Sequence, residues 1–265
     1  MPKLISHQHN NPTLIRDQLT YATSLAGRET ARAIIACKLR NGALILSDYR
    51  QSRERAGSSD QAAYIGDTQN RIARIISELS TAGDAAQLLL MEARAARAYW
   101  NAVRVICRQP PEWRRIYPHA RDSLNILLNT GYTALARSIL TRVISKRLLP
   151  EVGILHGTNS GDALVYDLME CFRQPTVDAA IMPVFSRKKR FPAELGERSM
   201  KHGFWLLSAQ KEKRYRYFGR CERLSRIMEM EILRLRASII SGSVWKPYEH
   251  QWGHHVRCKQ KSEGK

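Results

Sequence analysis

Residues 84–107, DAAQLLLMEARAARAYWNAVRVIC, decide the fold class. Ala, Leu and Arg dominate the run, all strong helix formers, and neither Gly nor Pro interrupts it. Asp84 stands where an N-cap belongs and Pro110 and Pro111 forbid continuation, so the stretch predicts one long helix from Asp84 to about Cys107. The flanking sequence has the same character. From Thr13 to about Leu46, apolar residues recur at three- and four-residue steps, predicting two helices broken at Gly27. Arg50 to Ser59 reads as a loop, and Asp60 begins a helix to about Ser80. Asp122–Leu148 predicts another long helix, Asp162 caps one carrying Asp167 and Glu170, and Gly219–Ser241 predicts a last one. Asp178–Gly203, with Pro183, Pro192 and the run SRKKR, reads as an exposed connection. Period-two alternation is scarce, so the expected class is all-α.

The chain has 265 residues, with 43 Lys and Arg against 24 Asp and Glu, a formal charge of +19. Such a surplus favours a polyanionic partner. A membrane is the poorer candidate, because no apolar run is long enough to span one and MPKLISHQHNNP has no signal-peptide core. Five scattered cysteines without CxxC spacing fit reduced thiols in a cytoplasmic protein. The tail residues His250, His254, His255 and Cys258 come near a zinc spacing but lack a second half-site.

Three positions carry candidate chemistry. Glu92 follows four apolar residues, and a carboxylate drawn toward a core requires a cation, a donor or a metal. His156 ends an apolar approach at a Gly-bracketed turn. Asp167 and Glu170, three residues apart on one helix face, repel each other unless something positive compensates. A hard divalent cation, Mg²⁺ or Mn²⁺, held by carboxylates and one imidazole would supply that charge and favour displacement at phosphorus. Ordinary ion pairs with Arg94 or Arg173 are the plain alternative. Two basic clusters add a route to nucleic acid. Lys188, Lys189 and Arg190 form one; Lys211, Lys213 and Arg214 form the other, interleaved with Tyr215, Tyr217 and Phe218.

The ordered blocks resemble the CRISPR-associated adaptation integrase, the Cas-one family of metal-dependent endonucleases. LLLMEARAARAYW resembles the family block around a metal-binding glutamate, on Glu92; DSLNILLNTGYTAL resembles its Asn-rich helix, with Asn125, Asn129, Gly131 and Tyr132 in matching places. LLPEVGILHGTNSGDALVYDLMECFRQPTVD resembles the stretch that sets the family histidine on His156 and a third metal ligand on Glu170, with Asp167 as a supporting group or occasional ligand. KRYRYFGRCERL and VWKPY resemble the closing helices. Ala93 replaces the usual glycine, and EWRRIYPHARDSLN departs from the family's Arg-rich stretch.

The resemblance implies an all-α catalytic domain entered without the family's N-terminal β-rich domain: 1–82 as helices continuous with it, 83–248 as the metal-dependent core and 249–265 as a basic tail. It also implies spacer insertion, in which a 3′-hydroxyl end of a short double-stranded DNA attacks a phosphodiester of a CRISPR repeat. Arg97, Arg121, Asn125 and Arg173 join the basic clusters as candidate DNA contacts. Symmetric insertion calls for a homo-oligomer, and a small second adaptation subunit belongs to the same picture. The rivals are a transposon-type integrase with the same metal site and a non-catalytic DNA-binding scaffold.

Overall fold

A computed structural model describes residues 11–156, 161–187 and 196–249. The decisive run forms α4, Ala85–Ile106, and Asp84 caps it by accepting the Gln87 N–H at 2.8 Å. One face, Leu88, Ala95, Ala98, Tyr99, Ala102, Val103 and Ile106, is buried at helical spacing. Around it stand α1 (Pro12–Thr23), α2 (Leu25–Arg55), α3 (Ser59–Glu78), α5 (Ser123–Ser145), α6 (Ala163–Phe172), α7 (Ala179–Ser186), α8 (Glu197–Glu212) and α9 (Leu224–Ser241). The one sheet among the described residues is an antiparallel hairpin, β1 (Arg214–Tyr217) with β2 (Arg220–Arg223), in which Arg214 faces Arg223. The all-α expectation holds.

Four boundaries differ from the sequence reading. The break between α1 and α2 falls at Ser24, whose side chain caps α2 through the Gly27 N–H at 3.0 Å. Gly27 instead permits a close approach, since a Cβ there would lie 2.1 Å from the Tyr21 carbonyl oxygen. Helix α2 then runs through the expected loop to Arg55, because Gln51, Arg53, Glu54 and Arg55 are good helix formers and Arg50 pairs with Glu54 one turn on. The expected exposed connection contains α7, which buries Ala180, Ile181, Met182 and Phe185. Burial of Ile181, Met182 and Phe185, each contributing about 1.5–3 kcal/mol, outweighs the helix-breaking tendency of Pro183. Finally, 214–223 is the hairpin; Phe218 and Gly219 turn it with φ of 44° and 81°.

Helices α2, α3 and α4 pack on one another, and α6 lies between α2 and α5. Every residue of α6 except Tyr166 is buried, as expected of a helix apolar around most of its circumference. A π-helical turn, Arg173–Asp178, links α6 to α7. Its end is fixed by Asp178, fully buried, which accepts the Tyr99 hydroxyl at 2.6 Å and the Tyr132 hydroxyl at 2.5 Å. Burial pushes that carboxyl above its usual range, although the two hydroxyls, Arg173 and Arg115 pull the other way. One apolar cluster runs from Leu14 to Trp245. Cys37, Cys107 and Cys171 are buried free thiols. No described helix is long and apolar enough to cross a membrane. The cluster Lys188, Lys189, Arg190 and the tail histidines lie outside the described residues.

Candidate active site

Where α2, α4 and α6 meet, three charged side chains from three helices converge. Glu92 projects from α4, Glu170 from α6, and Lys38 from α2 reaches both. The Lys38 ammonium donates to Glu92 Oε1 at 2.5 Å and stands 2.6 Å from Glu170 Oε2. The second approach closes an ion pair, so one ammonium bridges both carboxylates. Glu170 Oε1 pairs with Arg173 at 3.0 Å, one turn along. Burial alone would raise the Glu170 carboxyl; the Arg173 and Lys38 charges, the Lys38 hydrogen bond and the His156 charge together outweigh it and hold the group below the usual carboxylate range.

Behind this trio, Asp167 organises the 154–156 loop. Its Oδ2 accepts the backbone N–H groups of Ile154 at 2.5 Å and Leu155 at 3.0 Å, and its Oδ1 accepts that of His156 at 3.1 Å. The same Oδ1 lies 2.6 Å from His156 Nδ1. Both oxygens of this fully buried carboxylate are therefore engaged in holding the loop and ring. The Asp167 hydrogen bond raises the His156 pKa; burial opposes it, while the Asp167 and Glu170 charges reinforce it. With Nδ1 fixed, Nε2 is the ring nitrogen that makes no hydrogen bond to a described residue.

Among the described residues, no three His, Cys, Asp or Glu side chains already stand grouped around a point where an ion could sit. A cation nevertheless occupies the space between the two glutamates, and it is the Lys38 ammonium. The donor types suit a hard divalent ion: two carboxylates, Glu92 and Glu170, and the His156 imidazole oriented by the Asp167 carboxylate behind it.

Beside Glu170 opens a cleft of about 350 Å³ lined by Trp100, Arg115, Tyr132, Tyr166, Met169 and Arg173. The Arg173 and Arg115 guanidinium carbons lie 5.0 and 5.4 Å from the Tyr132 ring centre, within cation–π range. Arg115 also donates to Asn125 at 2.9 Å and Asn129 at 2.5 Å.

Several expected DNA contacts separate from this centre. Arg97 and Arg121 are exposed, and five residues along α4 turn Arg97 about 140° away from Glu92. Asn125 is fully buried: its oxygen takes Arg115 and the Ile116 N–H, and its amide donates to Arg114 and Asp122. Every polar atom of its side chain is thus engaged within the fold. Lys211 is half-buried, its pKa lowered by burial and by Arg142, while Lys213 and Arg214 are exposed. The aromatic interleave is mostly packing, with Tyr217 buried on Glu231 at 2.7 Å and Phe218 exposed at the turn. Sequence reasoning passed over Lys38 and Arg115. For Lys38 the signal was a cation three and four residues after Ile35 and Ile34, on the apolar stripe of α2.

A family profile described as "CRISPR associated protein Cas1" matches residues 2–218. A protein of Pyrobaculum aerophilum named CRISPR-associated endonuclease Cas1 1 is 33% identical over 176 residues, covering 65% of this chain and 55% of that protein. One of the same name from Archaeoglobus fulgidus is 28% identical, covering 70% and 57%. The chain thus spans little more than half the length of these relatives. Among solved structures, a casposase bound to integration product superposes with a TM-score of 0.71 at 19% identity, covering 93% of this chain and 71% of that one. A Cas6-RT-Cas1–Cas2 complex gives 0.71 at 18%, covering 91% and 27%. At these identities the likeness establishes the fold.

Proposed function

Since the chain belongs to the Cas1 family, we propose that it is a metal-dependent DNA integrase that inserts short duplexes into CRISPR repeats. The observation that carries the proposal is the convergence of Glu92 and Glu170 on one cation, beside a His156 ring fixed through Nδ1. Mg²⁺ or Mn²⁺ would be held by Glu92, Glu170 and His156; when bound, it supplies Lewis acidity toward phosphoryl oxygens and lowers the pKa of an attacking hydroxyl.

The chain's own groups do the rest. Asp167 selects the tautomer that leaves the Nε2 lone pair outward, and Arg173 restrains one oxygen of Glu170. Arg115 and Arg173, stacked on Tyr132, present positive charge to a phosphate in the adjoining cleft. In the reaction, the incoming 3′-oxygen bonds to phosphorus and the bond to the departing 3′-oxygen breaks. The attacking hydroxyl releases its proton and the departing oxygen gains one, so one phosphodiester replaces another and no co-reactant is consumed. The partners on this reading are 3′-hydroxyl duplex ends, repeat DNA, a second copy of the chain and a small Cas2-type subunit like that named in structural relatives.

A transposon-type integrase is the second reading, kept because a casposase superposes as well as the Cas1-containing complex does, each with a TM-score of 0.71. Incubation of a labelled duplex with supercoiled repeat plasmid in Mn²⁺ tests both. Joining at repeat boundaries, lost in His156→Ala, supports the first; joining indifferent to the repeat favours the second. DNA binding without joining under any metal would leave a scaffold.

A further inference from the structure

We propose that Lys38 is a built-in rival of the divalent cation: it holds the two glutamates together in the metal-free protein and must leave them for an ion to bind. The inference deepens the metal-dependent reading and rests on it. Lys38 touches Glu92 Oε1 at 2.5 Å and the buried Glu170 Oε2 at 2.6 Å. Its side chain is 15% exposed, and the three residues come from α2, α4 and α6, so the contact is tertiary.

Among the described residues, Glu92 has no ion-pair partner except Lys38, whereas Glu170 keeps Arg173 as well. Removing the ammonium therefore leaves two partly or fully buried carboxylates facing each other with one guanidinium between two charges. That arrangement is unfavourable without a cation and primed for one. An ammonium and a divalent ion cannot occupy the same oxygens together, so each excludes the other. A lysine suits the role because its charge is compact and its four-carbon stem can withdraw. The competition weakens metal binding in the resting protein while keeping α4 and α6 assembled.

The test uses the full chain, stripped of metal, titrated with Mn²⁺ and followed by calorimetry and by the EPR signal of free Mn²⁺. Lys38→Met and Lys38→Gln should each bind Mn²⁺ about tenfold or more tightly than the unsubstituted protein, a change equivalent to about 1.4 kcal/mol. Their metal-free forms should melt lower, and Mn²⁺ should raise their melting temperatures more than it raises that of the unsubstituted protein. Lys38→Arg, which keeps a cation, should bind Mn²⁺ no more tightly than the unsubstituted protein, and it serves the comparison if the neutral variants fail to fold; tighter binding by it would overturn the proposal. Mn²⁺ affinity unchanged or weakened in folded Met and Gln variants would also overturn it, leaving the metal site itself standing. Absence of Mn²⁺ binding in every variant would remove both.

Discussion

Around Glu170, charges from three helices meet, Lys38 pairing with both Glu92 and Glu170 while Arg173 pairs with Glu170 one turn along; along 211–223 the charges lie next to one another in sequence and mostly face water. The first region has few cations, each held in place. The second has many, and its notable contacts are structural, with Tyr217 on Glu231 and Arg223 on Glu212 at 3.1 Å. Charge density locates a surface that attracts phosphates, while convergence of buried opposite charges locates chemistry. The two should therefore respond differently to substitution.

The largest effect belongs to the first region. Glu170→Ala should lower strand joining by about 10³-fold or more, matching the several kcal/mol such a site supplies, with duplex binding in gel shifts nearly unchanged. Asp167→Asn should cost less, about 10–100-fold, by releasing the His156 ring; joining kinetics against Mn²⁺ concentration would show it chiefly as weaker metal dependence. In the second region, Arg214→Ala should leave the joining rate of bound DNA intact and weaken binding only severalfold, reducing the salt slope of binding by about 1. If Arg214→Ala abolished joining at saturating DNA, the contrast between the regions would fail.

A smaller effect is a pH dependence. His156 has a raised folded pKa, so in metal-free protein its protonated form contributes stability that is complete below the unfolded value of about 6.5 and is lost as pH rises through the folded value. The stability difference between the unsubstituted protein and His156→Ala should shrink over that interval in denaturant titrations. A difference constant from pH 6 to 9 would deny the Asp167 pairing an electrostatic role.

The residues that meet around Lys38 could be singled out because they sit in short ordered blocks: Glu92 after LLLM, His156 at a Gly-bracketed turn, Glu170 on the helix that follows Asp162. Helix existence was equally plain, since propensity and apolar period act locally. What stayed hidden depends on partners far along the chain. Lys38 meets residues 54 positions or more away, as does Asp178 with Tyr99, and no local pattern encodes such meetings. Asn125 is a local case: its four hydrogen bonds go to the irregular 114–116 segment and to Asp122, and no regular period announces such a segment. The hairpin was masked by its own composition: Arg and Tyr at 214–217 alternate in burial rather than in hydrophobicity.

The most direct test of the site is single-turnover joining of a labelled 3′-hydroxyl duplex to repeat-bearing plasmid by unsubstituted protein and Glu170→Gln, at matched DNA occupancy in Mn²⁺ and in chelator. The account predicts joined product only for the unsubstituted protein in Mn²⁺. Equal joining by Glu170→Gln, or joining that persists in chelator, would contradict it.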